Sequence, residues 1–208
     1  MQVNLVYLLI LFISVILHEI AHGYSALYFG DDTAKRAGRL TLDPLAHVDL
    51  IGTILVPLFC LFSGAPIFGW AKPVPVDFNS LPNRKAELWV TLSGILINFA
   101  LAILAAVLIR LLVLSGAQVQ AGDSFSAIMI SLSVMRINLM LAVFNLMPFP
   151  PLDGWRIWGV WLPYEMRMRI ESNPGIAMFL LLMLMPYVIG FIVAPLMSIF
   201  IRIFLAGV

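Results

Sequence analysis

The stretch LVYLLILFISVILHEIAHGYSALYF, Leu5 to Phe29, decides the reading of this chain. It is long and apolar enough to cross a bilayer as a helix, which takes about 20 residues. Yet it carries His18-Glu19-Ile20-Ala21-His22 within it. Residues four apart on a helix share a face, so both imidazoles reach one metal ion. The glutamate beside them has the reach to work on a metal-bound water. Two histidines and a carboxylate are costly in lipid, and an ionisable group at that depth is a functional-site candidate by default. The placement points to hydrolysis inside the bilayer.

Composition agrees with that setting. The chain has 208 residues, 62% of them hydrophobic and 11% charged, and its mean hydropathy is +1.03. Soluble domains carry about 25% charged residues, so an integral, multi-pass membrane protein is expected, with the lipid bilayer as partner. A net charge of +1 argues against a nucleic-acid partner. The single cysteine, Cys60, excludes an internal disulfide and reads as a small buried apolar residue. The N-terminus lacks the basic region of a cleavable signal peptide. Neither repeats nor low-complexity segments interrupt the chain.

Four segments have the length of a span: about Asn4 to Gly30, Leu88 to Leu114, Phe125 to Met147, and Gly175 to Leu205. The last holds Pro186 and Pro195, so one kinked helix and two shorter pieces both fit. Nine of the twelve basic residues fall in three connections, around Lys35–Arg39, Lys72–Lys85 and Arg156–Arg169, whereas Ser115 to Ser124 has none. The positive-inside rule makes the three basic connections cytoplasmic. The apolar stretch Leu50 to Trp70, broken by Pro57, Gly64 and Pro66, then begins and ends on one side, as a re-entrant or hairpin element. Gly38-Arg39-Leu40-Thr41-Leu42 alternates like a short strand, and such a strand offers an edge to an extended substrate. Trp70 to Val76 is extended because Pro73 and Pro75 forbid helix. The expected fold is all-α and polytopic, with about 4–6 transmembrane helices and a short β element at the cytoplasmic side. A single domain over 1–208 is expected, its core at about 4–158 and its C-terminal helix or helices at 175–205.

A catalytic zinc takes three protein ligands and keeps a position for water. His18 and His22 supply two. The third candidate is Asp153, directly after Pro148-Phe149-Pro150-Pro151-Leu152. Prolines break the helix there, and such backbone survives at membrane depth only against protein or a wet cavity. His18 lies 17 residues from the chain start and Asp153 lies 17 residues after Arg136. At 1.5 Å per residue both are about 25 Å from the outer face, at matching depth. Asn98 and Asn145 have two readings: helix–helix hydrogen bonding, or amides that hold a substrate backbone or an oxyanion. His47, after the Asp43-Pro44 turn, is mainly a structural candidate with a secondary claim on the substrate.

Four blocks together are distinctive: His18-Glu19-Ile20-Ala21-His22-Gly23, Ala37 to Pro44, Gly69 to Val76, and Phe144 to Gly154. From about Leu8 to Trp158, in this order, the chain resembles the site-2 protease family of zinc intramembrane metalloproteases, in its compact form without a PDZ or CBS domain. The resemblance implies one Zn2+ per chain on His18, His22 and Asp153, with Glu19 as general base. It also implies cleavage of peptide bonds in or near a transmembrane segment of a membrane-protein substrate. A bacterial cell membrane is the expected location, with the active site in its cytoplasmic half. The family commonly places a Gly-Pro pair before its helical asparagine; here Ile95 follows Gly94. The rival expectation is a zinc-binding membrane transporter or non-proteolytic metal-binding protein, which has no need of Glu19 between the histidines.

Overall fold

A computed structural model describes residues 5–63, 70–117, 126–173 and 187–205, with isolated positions 175, 179, 183 and 184. The chain divides into two compact units, residues 12–94 and residues 1–11 with 95–208. Every regular element among the described residues is helical. Three helices are long and apolar enough to cross a membrane: α1, Leu5–Tyr28; α4, Arg84–Leu114; and α5, Ala127–Asn145. They mark a membrane protein.

In the unit 12–94, α1 ends where Gly30 turns left-handed, φ +101°. The Gly30 amide donates to the Leu27 carbonyl and the Asp31 amide to that of Ala26, the six-to-one closure of a Schellman motif. A second such closure ends the one-turn helix α2, Thr33–Arg36. There Gly38 takes φ +65°, and the amides of Gly38 and Arg39 donate to Lys35 and Ala34.

This corrects the short β element expected at Gly38–Leu42. Its first two amides are spent on a helix cap. Thr41 then turns the chain, its hydroxyl accepting from the Asp43 amide and its carbonyl from the His47 ring. Local side-chain bonds of this kind outcompete a ladder.

A 3-10 turn, Pro44–His47, is capped by the Asp43 carboxylate. Asp49 in turn accepts from the Ile51 and Gly52 amides and starts a π-helical segment, Leu50–Leu55, that runs into α3, Val56–Ser63. Residues 64–69 of the expected hairpin lie outside the described residues. Its two ends do meet: the Trp70 amide donates to the Gly52 carbonyl at 3.1 Å, and the Thr53 hydroxyl to the Trp70 carbonyl at 2.9 Å. From there residues 70–77 run without regular structure to α4, which Asn83 opens by accepting from the Ala86 amide.

In the other unit, α4 presents Ala102, Ala105, Ala106 and Ile109 at helical spacing. The three alanines admit close packing against Ile128, Met135 and Leu139 of α5, with Phe200 and Phe204 of the last helix alongside. After α5 come α6, Asp153–Trp158, a 3-10 turn, Gly159–Trp161, and α7, Tyr164–Glu171. The Glu171 carboxylate accepts both the Arg167 guanidinium and the Trp155 indole, and so ties α7 to α6. Those two bonds lower its pKa.

Three helices qualify among the described residues, which is short of the 4–6 spans expected. The fourth expected span, 175–205, falls partly outside them. Its described end is a π turn, Ile189–Val193, continuing into α8, Ala194–Leu205, a described apolar stretch shorter than a full span. Most of the expected outer connection, residues 118–125, is likewise outside the described residues.

Candidate metal centre

Helical spacing does what the motif requires. His18 and His22 are both buried on α1, and their Nε2 atoms lie 3.0 Å apart. Two nitrogens bound tetrahedrally to zinc at about 2.0–2.1 Å stand roughly 3.3 Å from each other, so this pair is close to the spacing one ion demands. The rings meet edge to face, with centroids 4.6 Å apart.

The second nitrogen of His22 is committed elsewhere. Its Nδ1 lies 2.7 Å from the Val90 carbonyl. A carbonyl only accepts, so Nδ1 carries the proton and Nε2 presents its lone pair. A metal-ligating histidine is commonly held this way. The Ser93 hydroxyl shares the same carbonyl at 2.6 Å and sits 3.4 Å from His22 Nδ1.

Room for the imidazoles comes from a missing side chain. A Cβ on Gly94 would fall 2.5 Å from His22 Nε2 and 2.7 Å from His18 Nε2. Only glycine lets α4 pass this close to both ligand nitrogens.

Glu19 is half-buried, and its Oε2 accepts the Val74 amide at 2.7 Å. Pro73 and Pro75 have no N–H, so the strap at 70–77 offers one amide at this point and spends it on the carboxylate. The far end of the strap is fastened too. Buried Asp31 accepts the Asp77 amide and, on its other oxygen, the amide and hydroxyl of Thr33. Burial pushes the Asp31 pKa up, but the Thr33 and Asp77 bonds and the Arg36 charge outweigh it, and the value is lowered.

Asp153, in the other unit, is half-buried and opens α6 directly after the proline turn, where Leu152 bonds back to the Phe149 carbonyl. Asn98 is wholly buried and donates to Asn138 Oδ1 at 2.8 Å, a helix–helix amide pair. Asn145 donates to the Leu141 carbonyl one turn back. His47 is fully buried, with Nε2 at 2.9 Å from the Thr41 carbonyl. Sequence reasoning passed over Val74, Val90, Ser93 and Asn138. The Pro73-Val74-Pro75 pattern was a usable signal for the first; main-chain carbonyls leave none.

A buried His–His pair with a carboxylate beside it, on an apolar helix of spanning length, defines a metal-dependent membrane hydrolase as the class of site. The comparisons narrow the class. The chain is 40% identical over 185 residues to "Putative zinc metalloprotease YwhC" of Bacillus subtilis, covering 85% of this chain and 78% of that protein. It is 32% identical over 174 residues to "Putative zinc metalloprotease Rip2" of Mycobacterium tuberculosis strain H37Rv, covering 83% of this chain and 63% of that one. The chain belongs to this zinc metalloprotease family. No protein-family model matches it, and no solved structure does.

Proposed function

We propose that the chain is a zinc-dependent intramembrane endopeptidase of the site-2 type, using one Zn2+ on His18, His22 and Asp153. The observation that carries this is the pair of ligand nitrogens, 3.0 Å apart, on a 24-residue apolar helix. The donor chemistry fits zinc: two imidazoles, one of them oriented by a carbonyl, and room that a single Cβ on Gly94 would fill. Asp153 completes a two-histidine, one-carboxylate set that suits a catalytic zinc. Its support is its place at the proline break and the matching depth of its helix register.

Zinc bound there supplies Lewis-acid polarisation of a water molecule and of the scissile carbonyl. The remaining work falls to this chain's own residues. Glu19 holds one oxygen on the Val74 amide, which leaves Oε1 to take the proton of the attacking water. The same carboxyl then returns that proton to the leaving amine. The Val90 carbonyl keeps His22 in its ligand tautomer throughout. Substrates are membrane proteins whose transmembrane segment unwinds locally, because a helical peptide bond is shielded. The clustering of basic residues in three connections supports a site in the cytoplasmic half, and the bacterial source of the relatives supports a bacterial cell membrane.

The deciding experiment uses purified protein in detergent and reads zinc by elemental analysis alongside cleavage of a labelled membrane substrate. Glu19→Gln keeps one zinc per chain and loses cleavage; Asp153→Ala loses zinc. Cleavage at the wild-type rate by Glu19→Gln would falsify the protease reading and favour a metal transporter.

A further inference from the structure

The strap at 70–77 is held on both sides two residues before it reaches Glu19. The Lys72 amide donates to the His47 carbonyl at 2.9 Å, and the Lys72 carbonyl accepts Arg39 Nη2 at 2.7 Å. One residue is thus gripped at both its amide and its carbonyl, which fixes the two peptide bonds that flank it. Pro73 follows with its φ confined near −65°, so the placement of Lys72 is passed on to Val74 with little slack. Val74 then presents its amide to Glu19 Oε2.

Arg39 and His47 are both buried, at 8% and 0% exposure. Arg39 Nε and His47 Nδ1 are buried without hydrogen-bond partners. Orphaned buried nitrogens cost stability, and a well-packed apolar side chain commonly serves a core better than a buried cation. What the guanidinium does supply is a fixed donor, aimed at one carbonyl. Its own backbone is anchored as well, the Arg39 amide closing α2 on Ala34 at 3.0 Å.

We propose that Arg39 is a positioning residue for Glu19, acting through the Lys72–Val74 backbone, with His47 as the opposing jaw. The inference rests on Glu19 being the general base. The Arg39 guanidinium bonds to the Lys72 carbonyl and its amide to Ala34, so its effect falls on the strap and the orientation of the carboxylate and leaves the metal in place.

The test uses the full chain in detergent, zinc-loaded, with fluorescent casein as an unfolded probe that needs no unwinding. Arg39→Ala keeps the wild-type zinc content, lowers kcat about 10- to 100-fold, the scale expected for a misplaced catalytic group, and leaves KM within about twofold. Arg39→Lys, which keeps a cationic donor on the same side of the strap, recovers part of the loss. In a Glu19→Asp background, where the shorter carboxylate no longer reaches Val74, Arg39→Ala adds little; a full multiplicative loss there overturns the proposal. Hydrogen exchange at the Val74 amide provides a readout independent of activity. Protection falls in Arg39→Ala, and unchanged protection overturns the proposal even if the probe is never cut. Absence of cleavage by the wild type, or unimpaired cleavage by Glu19→Gln, instead counts against the protease reading itself.

Discussion

His22 Nδ1 donates to the main-chain carbonyl of Val90 at 2.7 Å, so α4 decides which nitrogen of an α1 histidine is left for a metal. Four residues further along α4, Gly94 lies against both ligand nitrogens. The residues that orient the site and those that make room for it share one helix.

Gly94→Ala therefore separates local fit from helix stability. Alanine is the better helix former by about 1 kcal/mol, yet its methyl would fall within 2.7 Å of both Nε2 atoms. Zinc affinity is expected to fall about 10- to 100-fold, the range seen when groups around metal ligands are disturbed. Thermal unfolding of the metal-free protein should move little. A chelator competition titration measures the first and a melt the second; wild-type zinc affinity in this variant would contradict the site.

Zinc removal should cost stability as well as activity. A ligand that binds only the folded chain, present at 100 times its Kd, adds about 2.7 kcal/mol. Treatment with a chelator should lower the Tm and abolish cleavage together, and added Zn2+ should restore both. A Tm indifferent to zinc would mean that the histidine pair does not hold it.

Asn138→Ala addresses the buried amide pair. The substitution removes the 2.8 Å bond from Asn98 Nδ2, at a cost of about 1–2 kcal/mol within a membrane bundle. Zinc content should stay at the wild-type level. Replacing both asparagines with leucine should cost less than the single change, because no buried amide is then left short of that bond. Loss of zinc in Asn138→Ala would show that the pair does more than join two helices.

Asp31 sets a pH dependence. Burial raises its pKa, but the bonds from Thr33 and Asp77 and the charge of Arg36 bring the net value below the ordinary 3.8. The unfolded chain binds the proton more readily. Asp31 therefore contributes in full above about pH 4, and that contribution is lost as pH falls through the lowered folded value. Asp31→Ala should cost about 1–3 kcal/mol at neutral pH and soften the acid limb of the stability curve. Melts between pH 7 and 3 test it; an acid limb as steep as that of the wild type would refute the assignment.

What was legible in the sequence followed from periodicity and ligand chemistry. A 24-residue apolar run with histidines four apart allows few structures, and α1 with its His–His pair is what forms. Gly38–Leu42 misled because alternation is a weak signal when glycine opens the run. A left-handed Gly38 closing α2 spends the amides that a strand would have needed. Asn98 stood out by polarity, but its partner Asn138 could not be paired with it without the packing of α4 on α5. The grip on Glu19 was hardest to see, since an amide donor carries no letter of its own.

The Pro73-Val74-Pro75 sequence has a consequence for fidelity. Suppose the strap slipped by one residue in either direction. Glu19 would then face a proline nitrogen, which bears no hydrogen to give. A misaligned strap cannot offer a weaker substitute for the Val74 contact; it offers none. For a slip of one residue the two prolines leave no substitute donor, so register at Val74 is what seats the carboxylate.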